Sequence, residues 1–328
     1  MPQIFLLGII GVVFLTYGAE RFIHSSVLLA RRLRISPLII GLTVVSLGTS
    51  APELVVSLSA ALKGKSAVAL GNVIGSNISN LALIGGCSAL VSPLFIEERV
   101  IRRDLPILLF STLLFIFFMA DGEFSRSEGI LLLSGFVFVL LNWVISEKRR
   151  KEKLKIFAEE TSPLEPESNF HLVKVISILL FGLALLVLGG QWTVESAVEI
   201  ARVFEIPERV IAVSIVAVGT SLPELAASVA AALKRQSGLV IGNLIGSNFS
   251  NIFLILGLTG SLAPGSTVDN IAAFDIVSLG LVTLTFSAWL WMRKQFTVVG
   301  GVVFIGLYIF YVWSSYRLFD FGVPWPWF

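Results

Sequence analysis

The sequence predicts an all-α integral membrane protein of ten transmembrane helices, arranged as two inverted five-helix repeats. Three observations carry this expectation. The 328 residues are 55% hydrophobic and 14% charged, with a mean hydropathy of +0.90, a composition that no water-soluble domain sustains. Ten apolar windows are long enough to cross a hydrocarbon layer of roughly 30 Å, which takes about 20 helical residues. The chain also repeats itself. A shift of 171 residues aligns 41–86 with 212–257 without a gap, and 24 of those 46 positions are identical.

The windows fall near 3–22, 37–62, 68–92, 104–120 and 129–146, then near 173–192, 208–233, 239–263, 272–292 and 297–316. None alternates in polarity, which excludes a transmembrane barrel. The first is read as a helix rather than a cleaved leader, because no basic residue precedes it and Ala19 and Glu20 lead into amphipathic sequence. The expected division is a first five-helix repeat over 1–146, a linker over 147–172 and a second repeat over 173–328. The linker is mixed in charge, carries Pro163 and Pro166, and is too short to fold as a domain. Five spans per half is an odd number, so the second half must enter the membrane from the opposite side. That inversion is the architecture of many secondary transporters, with the substrate site near the midplane between the halves.

Charge sets the orientation. Connections after the odd-numbered spans hold 18 of the 24 Lys and Arg residues, so the positive-inside rule places both termini outside and the 147–172 linker in the cytoplasm. The lack of long loops and regulatory domains points to the inner (plasma) membrane of a prokaryote. The net charge of +2 is too small to imply a nucleic-acid partner. The single Cys87 excludes an intrachain disulfide. Trp325 to Phe328 reads as an interfacial aromatic anchor against membrane lipid.

The repeat is densest around two hexapeptides, Gly48-Thr49-Ser50-Ala51-Pro52-Glu53 and Gly219-Thr220-Ser221-Leu222-Pro223-Glu224. A carboxylate at the bilayer centre costs about 3 kcal/mol even on lenient insertion scales, so Glu53 and Glu224 should face a cavity, a partner or an ion. Pro52 and Pro223 have no N–H to offer the carbonyls of Gly48 and Gly219, so each helix should break there and free oxygen ligands. Glycine permits the bend. The second duplicated motif reads Gly71-Asn72-Val73-Ile74-Gly75-Ser76-Asn77-Ile78-Ser79-Asn80 and recurs from Gly242 to Asn251. Asn72, Ser76 and Asn80 are spaced four apart and form one polar stripe, as do Asn243, Ser247 and Asn251. The glycine pairs Gly71/Gly75 and Gly242/Gly246 permit close helix packing. Every candidate ligand is an oxygen, and His24 and His171, the only histidines, stand apart from both motifs. Such a set suits calcium, magnesium or sodium rather than zinc or copper. Two carboxylates can be neutralised by one divalent cation or by monovalent ions in its place, the competition that an exchanger needs.

These paired motifs resemble the two α-repeats of the calcium/cation antiporter superfamily, in particular the prokaryotic type of its sodium/calcium exchanger branch. The resemblance covers the ten-span plan and is most specific at 41–86 and 212–257. It implies a calcium site of Glu53 and Glu224 with Thr49 and Thr220. It implies sodium sites that share those groups and add Ser50, Ser221, Ser76, Ser247, Asn80 and Asn251, with the carbonyls of Ser46 and Ala217. The transported ions would be Ca²⁺ and Na⁺, with no cofactor, no enzymatic activity and no obligate protein partner. Several members of the family, potassium-dependent ones among them, carry aspartate where this chain has Asn251, so the resemblance disfavours potassium dependence. The proton/calcium branch typically places Glu and His in its second helices, and both are missing from this motif. Proton coupling or other cation antiport is the alternative reading. A cation channel could use the same ligands, and an intramembrane hydrolase could use two carboxylates; unitary currents or a sodium-independent reaction would mark them.

Overall fold

The computed structural model describes residues 2–159, 171–204, 217–264, 266–267 and 270–321. Helix α1 runs Pro2–Leu33, eleven residues beyond the apolar window that announced it. The continuation is amphipathic, which keeps Phe22, Ile23 and Ala30 buried while His24 stays exposed. Helices α2 (Pro37–Thr49) and α3 (Ala51–Leu62) form one broken span, bent by 47°. Then come α4 (Ser66–Val91), α5 (Leu105–Phe118) and α6 (Arg126–Glu159). The second half holds α7 (Leu172–Val203), a helical turn Ala217–Gly219, α8 (Leu222–Leu233), α9 (Ser237–Leu262), α10 (Asn270–Arg293) and α11 (Val298–Phe321).

Among the described residues, seven helices are long and apolar enough to cross a membrane, or eight if the bent α2–α3 pair counts as one span. Two expected spans fall short of that length among the described residues. The fourth window begins as a π-wound turn, Val100–Asp104, followed by the 14 residues of α5. Residues 208–216 of the seventh lie outside the described residues, as do much of the linker (160–170) and the C-terminal Trp-Pro-Trp-Phe. Helix α6 continues past the last apolar turn to Glu159, so the first half of the linker is helical.

Helix α9 is the axis of the molecule, 94% of its apolar window being buried against 17% for α1, α6 and α11. It is encircled by α2, α6 and α8 and by the π-wound middle of α4. Leu38, Leu42 and Val45 belong to the same buried cluster as Leu239, Ile241 and Ile245. Gly242 is there for close approach, since a Cβ would fall 2.4 Å from the Leu38 carbonyl oxygen. The counterpart of that contact, Gly71 and Gly75 against 209–213, falls on residues outside those described. Peripheral helices instead turn Phe117, Phe138, Val173 and Trp291 outward, as a hydrocarbon solvent allows.

Two small antiparallel ribbons bind one half to the other. Strand β1 (Leu94–Phe95) pairs with β4 (Gln295–Phe296), and β2 (Glu123–Phe124) pairs with β3 (Ser266–Thr267). Each joins a loop of the first half to a loop of the second. Helices α1 and α7 form a unit of their own, packed together along most of their length. Backbones touch where Gly18 meets Leu186 and Gly189 meets Leu15; a Cβ on Gly189 would lie 2.3 Å from the Leu15 nitrogen. This unit leans on the core through α8 and α2.

Candidate functional site

The duplicated hexapeptides produce duplicated breaks. Pro52 follows Ser50 by two residues, and Ser50 leaves the helical region at φ −81°, ψ 7°. Ser221 does the same at φ −89°, ψ 9°. A new helix starts at once, with proline in its first turn, where a missing N–H is harmless. Glu53 and Glu224 therefore sit in the first turns of α3 and α8, at the end of the helix dipole that favours negative charge.

The spacing Ser-x-x-Glu at each break is that of a capping box, in which the serine hydroxyl caps its own helix. The structure spends the hydroxyls otherwise. Ser50 Oγ makes no cap and donates to Glu224 Oε1 at 2.9 Å. Ser221 Oγ donates to Glu53 Oε1 at 3.3 Å and also lies 3.4 Å from Ser76 Oγ. Each repeat thus holds the carboxylate of the other. Both glutamates are 1% exposed, and among the described ion pairs none involves either of them. Their second oxygens, Glu53 Oε2 and Glu224 Oε2, are buried without a hydrogen-bond partner.

A second crossed layer orients the first. Asn72 Nδ2 donates to Ser57 Oγ and Asn243 Nδ2 to Ser228 Oγ, both at 2.9 Å. With the amide nitrogens so held, the oxygens turn to the opposite repeat. Thr220 Oγ1 donates to Asn72 Oδ1 at 3.4 Å, and Thr49 Oγ1 lies 3.3 Å from Asn243 Oδ1 while also donating to the Val45 carbonyl at 3.0 Å. Ser247 Oγ donates to the same Asn243 oxygen at 3.4 Å. Ser57 and Ser228 went unremarked in the sequence; their signal was an identical repeat position one helical turn beyond each glutamate.

Of the twelve positions expected from sequence, hydrogen bonds join eight into this cluster: Glu53, Glu224, Ser50, Ser221, Thr49, Thr220, Ser76 and Ser247. Asn80 and Asn251 are buried in the π-wound segments Ser79–Ile84 and Asn251–Leu256. Asn80 Oδ1 and both amide atoms of Asn251 lack partners. Ser46 turns its hydroxyl back to the Leu42 carbonyl at 2.8 Å, and its own carbonyl accepts the Ser50 N–H at 3.0 Å and the Thr49 hydroxyl at 3.4 Å. Ala217 opens the turn before α8.

Buried polar atoms are almost always satisfied, so a set of orphans in one cluster requires explanation. Two carboxylates without a counter-cation are too expensive to bury ionised. A cation, or protons in its place, resolves both. The donor set contains neither sulfur nor imidazole, and among the described residues no group of three or more His, Cys, Asp and Glu gathers as a transition-metal site. A surface cavity of about 400 Å³ between Ile4, Leu7, Glu195, Glu199 and Arg202, at the ends of α1 and α7, is lined by neither glutamate.

The sequence pattern of the family described as "Sodium/calcium exchanger protein" matches residues 3–144 and 174–317, both halves of the chain. The chain belongs to that family. The exchanger is 39% identical over 316 residues to the putative antiporter CaxA of Alkalimonas amylolytica, covering 95% of this chain and 97% of the relative. It is 36% identical to the inner membrane protein YrbG of Escherichia coli strain K12, covering 94% and 96%, and 34% identical to the sodium/calcium exchanger MaX1 of Methanosarcina acetivorans, covering 93% and 96%. Its fold is similar to that of the sodium-calcium exchanger NCX_Mj soaked with Na⁺ and Sr²⁺, at a TM-score of 0.81 and 30% identity over 94% of this chain and 97% of that one. The exchanger is therefore a multi-pass membrane antiporter of the calcium/cation class and not an enzyme.

Proposed function

We propose that the exchanger swaps Na⁺ for Ca²⁺ at one shared site centred on Glu53 and Glu224. The observation that carries this is the crossed pair itself: each carboxylate is held by a serine of the other repeat and keeps one oxygen orphaned. Ca²⁺ neutralises two carboxylates at once and accepts six to eight oxygen ligands. Thr49 and Thr220, with nearby carbonyls, complete that set. Na⁺ ions replace it by sharing the glutamates and recruiting Ser50, Ser221, Ser76, Ser247, Asn80, Asn251 and the carbonyls of Ser46 and Ala217. The second motifs end in amides at 80 and 251, which do not titrate, and this favours sodium over proton coupling.

The proposed frame is ten spans in two inverted repeats, 1–146 and 173–328, around a cytoplasmic linker over 147–172, with both termini outside an inner membrane. Inversion explains why the serine–glutamate, threonine–asparagine and asparagine–serine bonds of the site come in twin pairs. Transport proceeds by alternating access, with α1 and α7 moving as a unit across the core. One feature of the packing supports this: α1 lies along α8, while among the described residues α7 makes no comparable contact with α3. An empty site keeps two uncompensated buried charges, so it crosses the closed state slowly and exchange is obligatory.

The test is calcium uptake into proteoliposomes loaded with sodium and diluted into sodium-free medium, beside potassium-loaded controls. Uptake that requires internal sodium supports the reading. Uptake that ignores sodium but follows an imposed pH gradient would replace it with proton coupling.

A further inference from the structure

Far from the crossed pair lies another buried carboxylate with unusual partners. Glu147 stands where α6 leaves its last apolar turn and is 3% exposed. Its Oε1 accepts the backbone N–H of Ser36 at 2.7 Å, across 111 residues of sequence. Its Oε2 is bonded by the Arg99 guanidinium. Ser36 is the N-cap of α2, extended at φ −67°, ψ 144°, and its own side chain supplies no cap. Glu147 therefore caps α2 from outside, at the helix end that favours an anion, and Arg99 ties the same carboxylate to the turn leading into α5. Three elements meet on one side chain.

What makes this junction particular is its place in the chain. Helix α1 ends in a left-handed Arg34 at φ 53°, with Arg34 N–H on the Arg31 carbonyl and Ile35 N–H on that of Ala30. Residues 34–36 are the whole connection between the α1–α7 unit and the half-helix that carries Thr49 and Ser50. The sequence of the second repeat does not offer the same residues. In sequence, the residues 171 beyond Ser36, Glu147 and Arg99 are Pro207, Leu318 and Asn270, and a proline has no N–H to anchor.

We propose that Glu147 is a positioning residue that fixes the core side of a hinge at Arg34 and Ile35. Helix α1 turns about those two residues while Ser36, pinned by Glu147 and Arg99, keeps α2 and its half of the ion site on the core. This rests on the alternating-access reading above.

The experiment compares full-length wild type, Glu147→Ala, Glu147→Gln and Arg99→Lys in proteoliposomes, reading sodium-driven calcium uptake, calcium half-saturation and amide hydrogen exchange. The expected result for Glu147→Ala is a loss of roughly tenfold in turnover, with half-saturation unchanged within about twofold and faster exchange confined to 36–40. Glu147→Gln keeps an acceptor for Ser36 and recovers most of the protection there. Arg99→Lys keeps the positive charge and retains most of the turnover. Wild-type turnover and protection in Glu147→Ala would overturn the proposal. So would a general loss of protection in α4 and α9 accompanied by lost calcium affinity, which is the mark of a purely structural residue. If the wild type itself showed no sodium-driven uptake, the exchange reading would fall, while the exchange pattern at 36–40 would still decide whether Glu147 anchors α2.

Discussion

Ser50 and Ser221 make the smallest contacts with the largest consequence. Each gives its hydroxyl to the glutamate of the other repeat, so removing one disturbs a ligand it does not neighbour in sequence. Ser50→Ala should weaken apparent calcium affinity by about 5- to 30-fold, the equivalent of roughly 1–2 kcal/mol for a charge-assisted hydrogen bond. Calcium titration of uptake measures this, and an unchanged half-saturation would count against the crossed bond. Glu53→Gln and Glu224→Gln should each abolish exchange by a factor of about 100 or more. The same changes should raise the cation-free melting temperature by about 2–4 °C, since they discharge a buried like-charged pair. The proposed ligands stood out in the sequence because they are duplicated: one buried glutamate after a proline is ambiguous, and two at the same repeat position point to a shared site. Their partners were hidden. Ser-x-x-Glu spacing points to a local cap, and only the folded chain shows the hydroxyl crossing to the other repeat.

Helices α1 and α7 are matched by glycines rather than by large side chains. A Cβ at position 189 would meet the Leu15 backbone at 2.3 Å, whereas one at 306 would meet nothing within 4 Å. Gly189→Ala should therefore destabilise by about 1–3 kcal/mol through overpacking and slow transport, and Gly306→Ala should do neither. Thermal melting with uptake rates distinguishes the pair. Apolar windows located these helices well and their ends poorly. Arg21 and His24 stop the hydropathy of the first window near residue 22, yet α1 continues to Leu33, because one face still buries Phe22, Ile23 and Ala30. The broken span at Ser50 was readable from Pro52. The glycine before the matching break at Ser221 has a second use that the sequence does not disclose: a Cβ on Gly219 would lie 2.5 Å from the Val194 side chain of α7.

The two halves are tied together because the ribbons β1–β4 and β2–β3 each take one strand from each half and the axial helix α9 of the second half packs against α2 and α6 of the first. Composition and the 171-residue repeat pointed to two related halves, while the pairing of loops roughly 140 and 200 residues apart could not be read from two-residue strands. The proposed orientation predicts that protease cuts the 147–172 linker in inside-out membrane vesicles and spares it in right-side-out ones. The reverse pattern would invert the topology. The claim on which all else depends is that sodium and calcium compete for one carboxylate pair, and equilibrium calcium binding to the purified protein at rising sodium tests it most directly. The account predicts that sodium raises the calcium half-saturation without lowering the number of sites, and that Glu53→Gln or Glu224→Gln alone removes the binding. Calcium binding indifferent to sodium, or surviving both substitutions, would contradict it.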